Sequence, residues 1–484
     1  MNWKAVSRNI GYALLVSALF MLLSILVSVL NGNDSALAAL IISFTITFIV
    51  GIFPFIFVRK TPAISLKEGY VIITLSWLLS FLFGMLPYAL WGGPFTLQNA
   101  WFESVSGFTT TGSTILENVE ALPKSLLFWR SSTHFIGGLG VVVFLLLIIP
   151  DSSPVRLRLT NMELSSLSRS GYSSRANKTV YIFAYVYLAL VILSFLCYLL
   201  AGMPAFDAVC HAMSVSATGG FSTRNLSIAA FHSPLIEAMT MLFMLLSSLH
   251  FGLLYLSVVN RTLKPLNNPV TKFYLASLVC FSLLTGLSVK FSGNASSWGE
   301  ALWTGTFQTV STATTTGFAV TDNASWPVPA NVMIMMVAFM CGCAGSTTGG
   351  VKADRVLVFM KSVIKQISWH LHPTAVREVK LGTKVLKHTD LYPQLLYLLL
   401  FTLIFCISVL LNSFAGMNGH SAFSASLASL SNVGPAIREL GSMGNYSMIP
   451  GAAKFICTLD MFLGRVEIYP VLTCFAMIID KHRK

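Results

Sequence analysis

The sequence predicts an all-α integral membrane protein of ten transmembrane helices: an N-terminal helical pair, then four span–loop–span repeats around a central pore. Three observations predict it. Apolar residues make up 55% of the chain and charged residues 10%, with a mean hydropathy of +0.74, against roughly 25% charged residues in soluble domains. Four Thr/Ser/Gly segments recur between long apolar runs. Basic residues gather in alternate loops.

About twenty apolar residues cross a bilayer core at roughly 1.5 Å per residue. By that ruler, spans lie near 10–30, 36–58, 70–90, 130–149, 180–201, 235–259, 272–290, 332–362, 392–412 and 450–479. An even number places both termini on one side. The first span is too long for a signal-peptide core and lacks a cleavage site, so it is expected to be mature structure. Most of the 31 Lys and Arg fall in the termini and alternate loops, among them Arg59, Lys60, Arg156, Arg158, Arg169, Arg175, Arg261 and Lys264. This positive-inside bias puts both termini in the cytoplasm. It also explains the net charge of +13 without a nucleic-acid partner.

The predicted organisation is a helical pair (1–65) followed by pore repeats at 66–155, 156–262, 263–370 and 371–484. Each repeat carries a re-entrant segment that begins helix-compatible and ends in glycine-containing irregular backbone. The segments are SVSGFTTTGST (104–114), SVSATGGFST (214–223), TVSTATTTGF (309–318) and ASLSNVGPAI (428–437). Hydroxyl-rich irregular backbone at membrane depth is tolerated only where it is covered by protein or lines a cavity. Half-helices entering from outside aim their negative carbonyl ends at the membrane centre, which favours a dehydrated cation. Glu103, Asp207 and Glu300 are expected to cap or pair with the dipoles at the helix starts.

Alignment on one glycine each puts Gly112, Gly219, Gly317 and Gly434 in register, at spacings of 107, 98 and 117 residues. The predicted ion-binding filter is then Thr110-Thr111-Gly112, Ala217-Thr218-Gly219, Thr315-Thr316-Gly317 and Asn432-Val433-Gly434. Rings of inward-pointing carbonyls can replace an ion's hydration shell, and glycine permits the backbone angles that this requires. The outer neighbours Ser113, Gly220, Phe318 and Pro435 differ among the units.

With these segments, the stretches STHFIGGLGVVVF (132–144), CAGSTTGGVKADR (343–355) and FLGRVEIYP (462–470) resemble the Trk/Ktr/HKT superfamily of potassium transporters over nearly the full length. The extra helical pair suits the TrkH branch rather than the shorter KtrB form. The resemblance implies potassium selectivity, because glycine stands in all four filter positions, whereas serine in the first goes with sodium-preferring members. It also implies a homodimer with one pore per chain in the bacterial inner membrane, and a cytoplasmic TrkA-type nucleotide-binding ring. That ring would dock on basic loops such as 150–179 and 352–390. Any nucleotide is expected on the partner, with no cofactor in this chain and potassium as substrate.

Five of the ten residues 341–350 are Gly or Ala, so helix there is poorly supported. A phosphate-binding loop is excluded by spacing: Val351 stands where its lysine belongs, and Ala353 follows Lys352. A broken helix lining the cavity fits better. The resemblance makes this stretch an intramembrane gate, assigned to Gly342, Gly345, Ser346, Gly349, Gly350 and Lys352. Arg465 is a mid-span charge, which marks a pathway or an ion pair. Asp460 and Glu467 are near in sequence, and a neutralising pair with either is one reading. The resemblance assigns Arg465 to the pore, facing the gating loop as an electrostatic barrier.

Enzyme chemistry is not expected. His134, His211 and His250 fall in different repeats, and Cys341 and Cys343 lack nearby His or carboxylate, so they are read as packing residues. His370, His372 and His388 lie in a basic loop. A sodium- or proton-coupled carrier is the alternative transport class, although carriers are built around broken spans and a midplane pocket.

Overall fold

The computed structural model describes residues 1–58, 65–140, 176–374, 378–381, 384–386 and 388–481. The described chain is overwhelmingly helical, with one two-residue antiparallel ladder pairing Lys380 with Val385 and Leu381 with Lys384. Six helices are long and apolar enough to cross a membrane: Trp3–Leu30, Leu37–Phe57, Lys67–Trp91, Val180–Leu200, Pro269–Phe291 and Asp390–Phe414. A bent pair, Pro234–Ser248 and Phe251–Val259, makes a seventh if counted as one span.

The remaining predicted spans are interrupted, and of these breaks only the Gly-rich stretch 341–350 was expected from the sequence. The expected span 235–259 turns by 102° between Ser248 and Phe251. The stretch 332–362 divides into Val328–Met340 and Ala353–Leu371. The stretch 450–479 divides into Gly451–Arg465 and Tyr469–Lys481, with Glu467 (φ 58°) and Ile468 (φ 59°) in left-handed backbone between them. Helix Lys124–Leu139 ends at Gly140 (φ 82°), and the rest of the predicted span 130–149 lies outside the described residues.

The N-terminal pair packs through small residues, as membrane helices do. A Cβ on Gly11 would sit 2.6 Å from the Gly51 carbonyl, so the two backbones nearly touch. Outward-facing Leu26, Ile49, Phe53 and Phe57 are exposed, as lipid contact requires. The pair also packs against helices Leu66–Gly84 and Lys124–Leu139. Glu68 ties the two parts together. It forms a capping box with Ser65 and accepts a 2.5 Å bond from the backbone N–H of Asn2, the cap of the first helix.

Four short helices, Leu97–Phe108, Ala205–Ser216, Trp298–Ala313 and Gly419–Leu430, are buried in the interior over most of their length. Each lies against a helix from the preceding stretch of chain. Lys124–Leu139 packs on Ala205–Ser216, Pro234–Ser248 on Trp298–Ala313, and Val328–Met340 on Gly419–Leu430. Gly451–Arg465 then returns to Leu97–Phe108, and Tyr469–Lys481 packs on Leu66–Gly84, which closes the circuit. The C-terminal ends of the short helices therefore meet at the middle of the molecule.

Candidate functional site

Each short helix ends in the same backbone device. A non-glycine residue takes a left-handed conformation: Thr110 (φ 54°), Thr218 (54°), Thr315 (53°) and Asn432 (55°). Two residues later comes a left-handed glycine: Gly112 (82°), Gly220 (82°), Gly317 (80°) and Gly434 (89°). Between them, the N–H groups of Thr111, Gly219, Thr316 and Val433 each donate a 2.9 Å bond to the carbonyls of Ser106, Ser214, Ser311 and Ala428. The four segments are thus superimposable in hydrogen bonding as well as in dihedral angle.

This register corrects the sequence alignment in the second segment. Gly220, not Gly219, is equivalent to Gly112, Gly317 and Gly434, and its triplet is Thr218-Gly219-Gly220. Ala217 is the C-cap of its helix, packed near Gly138, and has no place in the ring. The outer neighbour is Phe221 rather than Gly220. A signal was present in the sequence: Gly220-Phe221 matches Gly317-Phe318.

The four glycines form a closed contact circuit. A Cβ on Gly112 would strike the Gly219 carbonyl, one on Gly220 the Thr316 carbonyl, and one on Gly434 the Thr111 carbonyl. One on Gly317 would lie 2.5 Å from the Val433 carbonyl. Every contact joins a glycine to the residue before the next glycine. A cavity opens on one side of this ring, bordered by all four glycines together with Ser113, Phe221, Pro435 and Tyr446.

A charged buttress holds the first segment. Glu103 is wholly buried and pairs with Arg130 at 2.8 Å while accepting bonds from Thr114 and the Ile115 N–H. The Arg130 guanidinium lies 4.0 Å from the centre of the Phe221 ring, which stacks on His134 at 4.1 Å. The equivalent contact in the second segment joins His211 to Ser222 at 2.9 Å. Glu103 is therefore a mid-helix strut and not a cap. Asp207 and Glu300 do lie in first turns: Asp207 pairs with Arg224 at 2.8 Å, and Glu300 accepts from the Ser296 N–H at 2.9 Å. Sequence reasoning passed over Arg130, although an arginine inside a predicted span was itself the signal.

The opposite side of the ring is covered by the buried loop 341–352. Thr347 Oγ1 lies 3.3 Å from Thr218 Oγ1 and donates to the Ser216 carbonyl at 3.2 Å. The Gly349 N–H donates to Thr315 Oγ1 at 3.2 Å, and a Cβ on Gly349 would meet Asn432 at 2.8 Å. Gly345 (φ 81°) presses on His250, and Gly350 (φ 68°) on the Cys341 thiol. Gly342 accepts the Ala353 N–H at 2.8 Å, and Ser346 donates to the Cys343 carbonyl at 2.6 Å.

Arg465 reaches this loop directly. Its guanidinium donates to the Thr347 carbonyl at 2.6 Å and to the Gly137 carbonyl at 2.6 Å. The nearby carboxylates are engaged elsewhere, which corrects the pairing alternative: Asp460 accepts from Ser408, and Glu467 binds Lys352 at 2.7 Å and Arg355 at 2.7 Å. Lys352 thereby latches the loop's far end to the break before the last helix. Glu467→Gln leaves two largely buried cations without their counter-charge and is expected to cost about 3 kcal/mol, read as a lower midpoint of thermal unfolding in detergent.

The TrkH family model, described as a cation transport protein, matches residues 37–292 and 294–483. The chain belongs to the TrkH family. Its TrkH relatives include the Trk system potassium uptake protein TrkH of Salmonella typhimurium, 31% identical over 483 residues, covering 98% of this chain and 99% of the relative. The Trk system potassium uptake protein TrkG of Escherichia coli is 31% identical over 479 residues, covering 98% of both chains. The crystal structure of the potassium transporter TrkH from Vibrio parahaemolyticus matches with a TM-score of 0.87 at 30% identity, over 98% of both chains. These TrkH-family relatives are named as uptake proteins, not enzymes. The predominantly helical fold with several apolar helices agrees with that structure.

Proposed function

We propose that this chain is the potassium-translocating membrane subunit of a bacterial uptake system. The observation that carries this reading is the closed ring of four left-handed glycines, open to a cavity on one side and covered by a buried loop on the other. Potassium sheds its water inside the ring built by Thr110-Thr111-Gly112, Thr218-Gly219-Gly220, Thr315-Thr316-Gly317 and Asn432-Val433-Gly434, where unengaged backbone carbonyls replace its hydration shell. It then meets the gate formed by the 341–352 loop, Lys352 and Arg465. With the interrupted helices counted as spans, the chain crosses the inner membrane ten times, with both termini cytoplasmic. It divides into the helical pair 1–65 and pore repeats 66–155, 156–262, 263–370 and 371–484. A homodimer and a cytoplasmic TrkA-type ring that carries the nucleotide complete the assembly. Of the candidate docking loop 150–179, residues 150–175 lie outside the described residues, as do 375–377, 382–383 and 387 of the loop 352–390.

Potassium and sodium flux from purified protein in liposomes tests the reading. Passage far above about 10³ ions per second, the upper end of ordinary catalytic turnover, is expected of a channel, and slower saturable exchange with sodium or protons would favour a coupled carrier. Gly112→Ser places a side chain against the Gly219 carbonyl. It is expected to lower the potassium-over-sodium permeability ratio about tenfold, equivalent to roughly 1.4 kcal/mol. An unchanged ratio defeats the filter assignment.

A further inference from the structure

The four ring glycines are equivalent in backbone but not in the state of their carbonyls. No donor among the described residues reaches the carbonyl oxygens of Gly112, Gly220 or Gly317, although all three glycines border the outer cavity. The Gly434 carbonyl accepts two bonds: one from the Tyr446 hydroxyl at 3.0 Å and one from Ser113 Oγ at 3.1 Å. A carbonyl oxygen has two lone pairs, so this one is fully engaged by protein.

Both donors are built into the site. Tyr446 is 2% exposed, its N–H is fixed on the Thr114 carbonyl at 2.8 Å, and its ring packs on Phe102 at 5.4 Å. Ser113 is 3% exposed and follows Gly112 in the adjacent segment, at the position where the second and third segments carry Phe221 and Phe318. The donors therefore come from the first and fourth segments, at the seam where the ring closes.

Resting on the potassium reading above, we infer that Tyr446 and Ser113 are positioning residues that withhold the Gly434 carbonyl from the permeating ion. The outermost site then offers three unengaged carbonyls instead of four, and water completes the ion's shell. An ion held by three carbonyls is bound less tightly and is released more readily toward the next site. The asymmetry thus sets the external potassium concentration at which uptake half-saturates.

Removing a donor returns a lone pair to the ion. Tyr446→Phe in the full-length protein in liposomes is expected to lower the half-saturating external potassium concentration about fivefold, the scale of one released hydrogen bond, and to lower maximal flux as well. Ser113→Ala shifts both quantities in the same direction, and the double variant shifts them further. Thermal unfolding in detergent, titrated with potassium chloride at constant ionic strength, reads the same tightening without transport. Ser113→Ala removes only one hydroxyl and carries the test if Tyr446→Phe does not fold. Unchanged or weaker half-saturation in folded variants overturns the inference while leaving the potassium reading intact. A wild-type protein with neither potassium flux nor potassium-dependent stabilisation overturns both.

Discussion

Gly220→Ala is expected to abolish selective potassium flux, while Ala217→Gly leaves it near wild type. The two residues are three apart on one segment, yet the structure gives them opposite duties. Gly220 holds φ 82°, and a Cβ there would drive into the Thr316 carbonyl of the neighbouring segment. Left-handed backbone alone costs an L-residue roughly 1–2 kcal/mol, and the collision moves a carbonyl that the ring cannot spare. Ala217 caps its helix outside the ring, so trimming it to glycine removes one methyl and costs only stability. The measurement is potassium flux and potassium-over-sodium ratio in liposomes, with folding checked by size exclusion. Normal selectivity in Gly220→Ala would return the register to Gly219.

Arg465→Ala is expected to raise potassium flux in the absence of the regulatory ring by on the order of a hundredfold. Two unit charges 4 Å apart at an effective dielectric of about 20 repel by roughly 4 kcal/mol, so a fixed guanidinium beside the path is a large barrier. The same side chain ties the Thr347 carbonyl of the loop to the Gly137 carbonyl across the molecule. Arg465→Lys separates the two effects, since it keeps the charge and loses the fork. A lysine variant that stays closed assigns the barrier to charge, and one as leaky as alanine assigns it to the tether. An alanine variant that folds and conducts no faster than wild type removes Arg465 from the gate.

Much of this was legible in the sequence, for reasons that also explain the errors. Long apolar runs such as 3–30 and 269–291 specify their helices through solvation alone. The Gly-rich stretch 341–350 announced a break because too few of its residues favour helix. The bend between Ser248 and Phe251 and the left-handed pair Glu467-Ile468 were invisible, because dihedral angles there are imposed by packing within an unbroken hydropathic signal. The second segment was misaligned because two adjacent glycines compete for one position; the phenylalanine after Gly220, shared with the third segment, and the left-handed φ of Gly220 decide between them. Arg465 was correctly marked as unusual, but its carboxylate neighbours in sequence were misleading. Glu467 turns to Lys352 and Arg355, which tertiary structure alone brings within reach.

The seam between the first and fourth segments bears on how the protein is made. Ser113 and Gly434 are 321 residues apart, and one of the helices that seat the first segment's short helix is Gly451–Arg465, close to the C-terminal end. One flank of the first segment therefore has its partner only once nearly the whole chain has been made. Such late, non-local closure is slow and exposes surfaces prone to misassembly. Chains truncated before residue 451 are therefore expected to lack a closed ring, while the buried Glu103–Arg130 pair, made within the first segment and its following helix, needs no later residue to form.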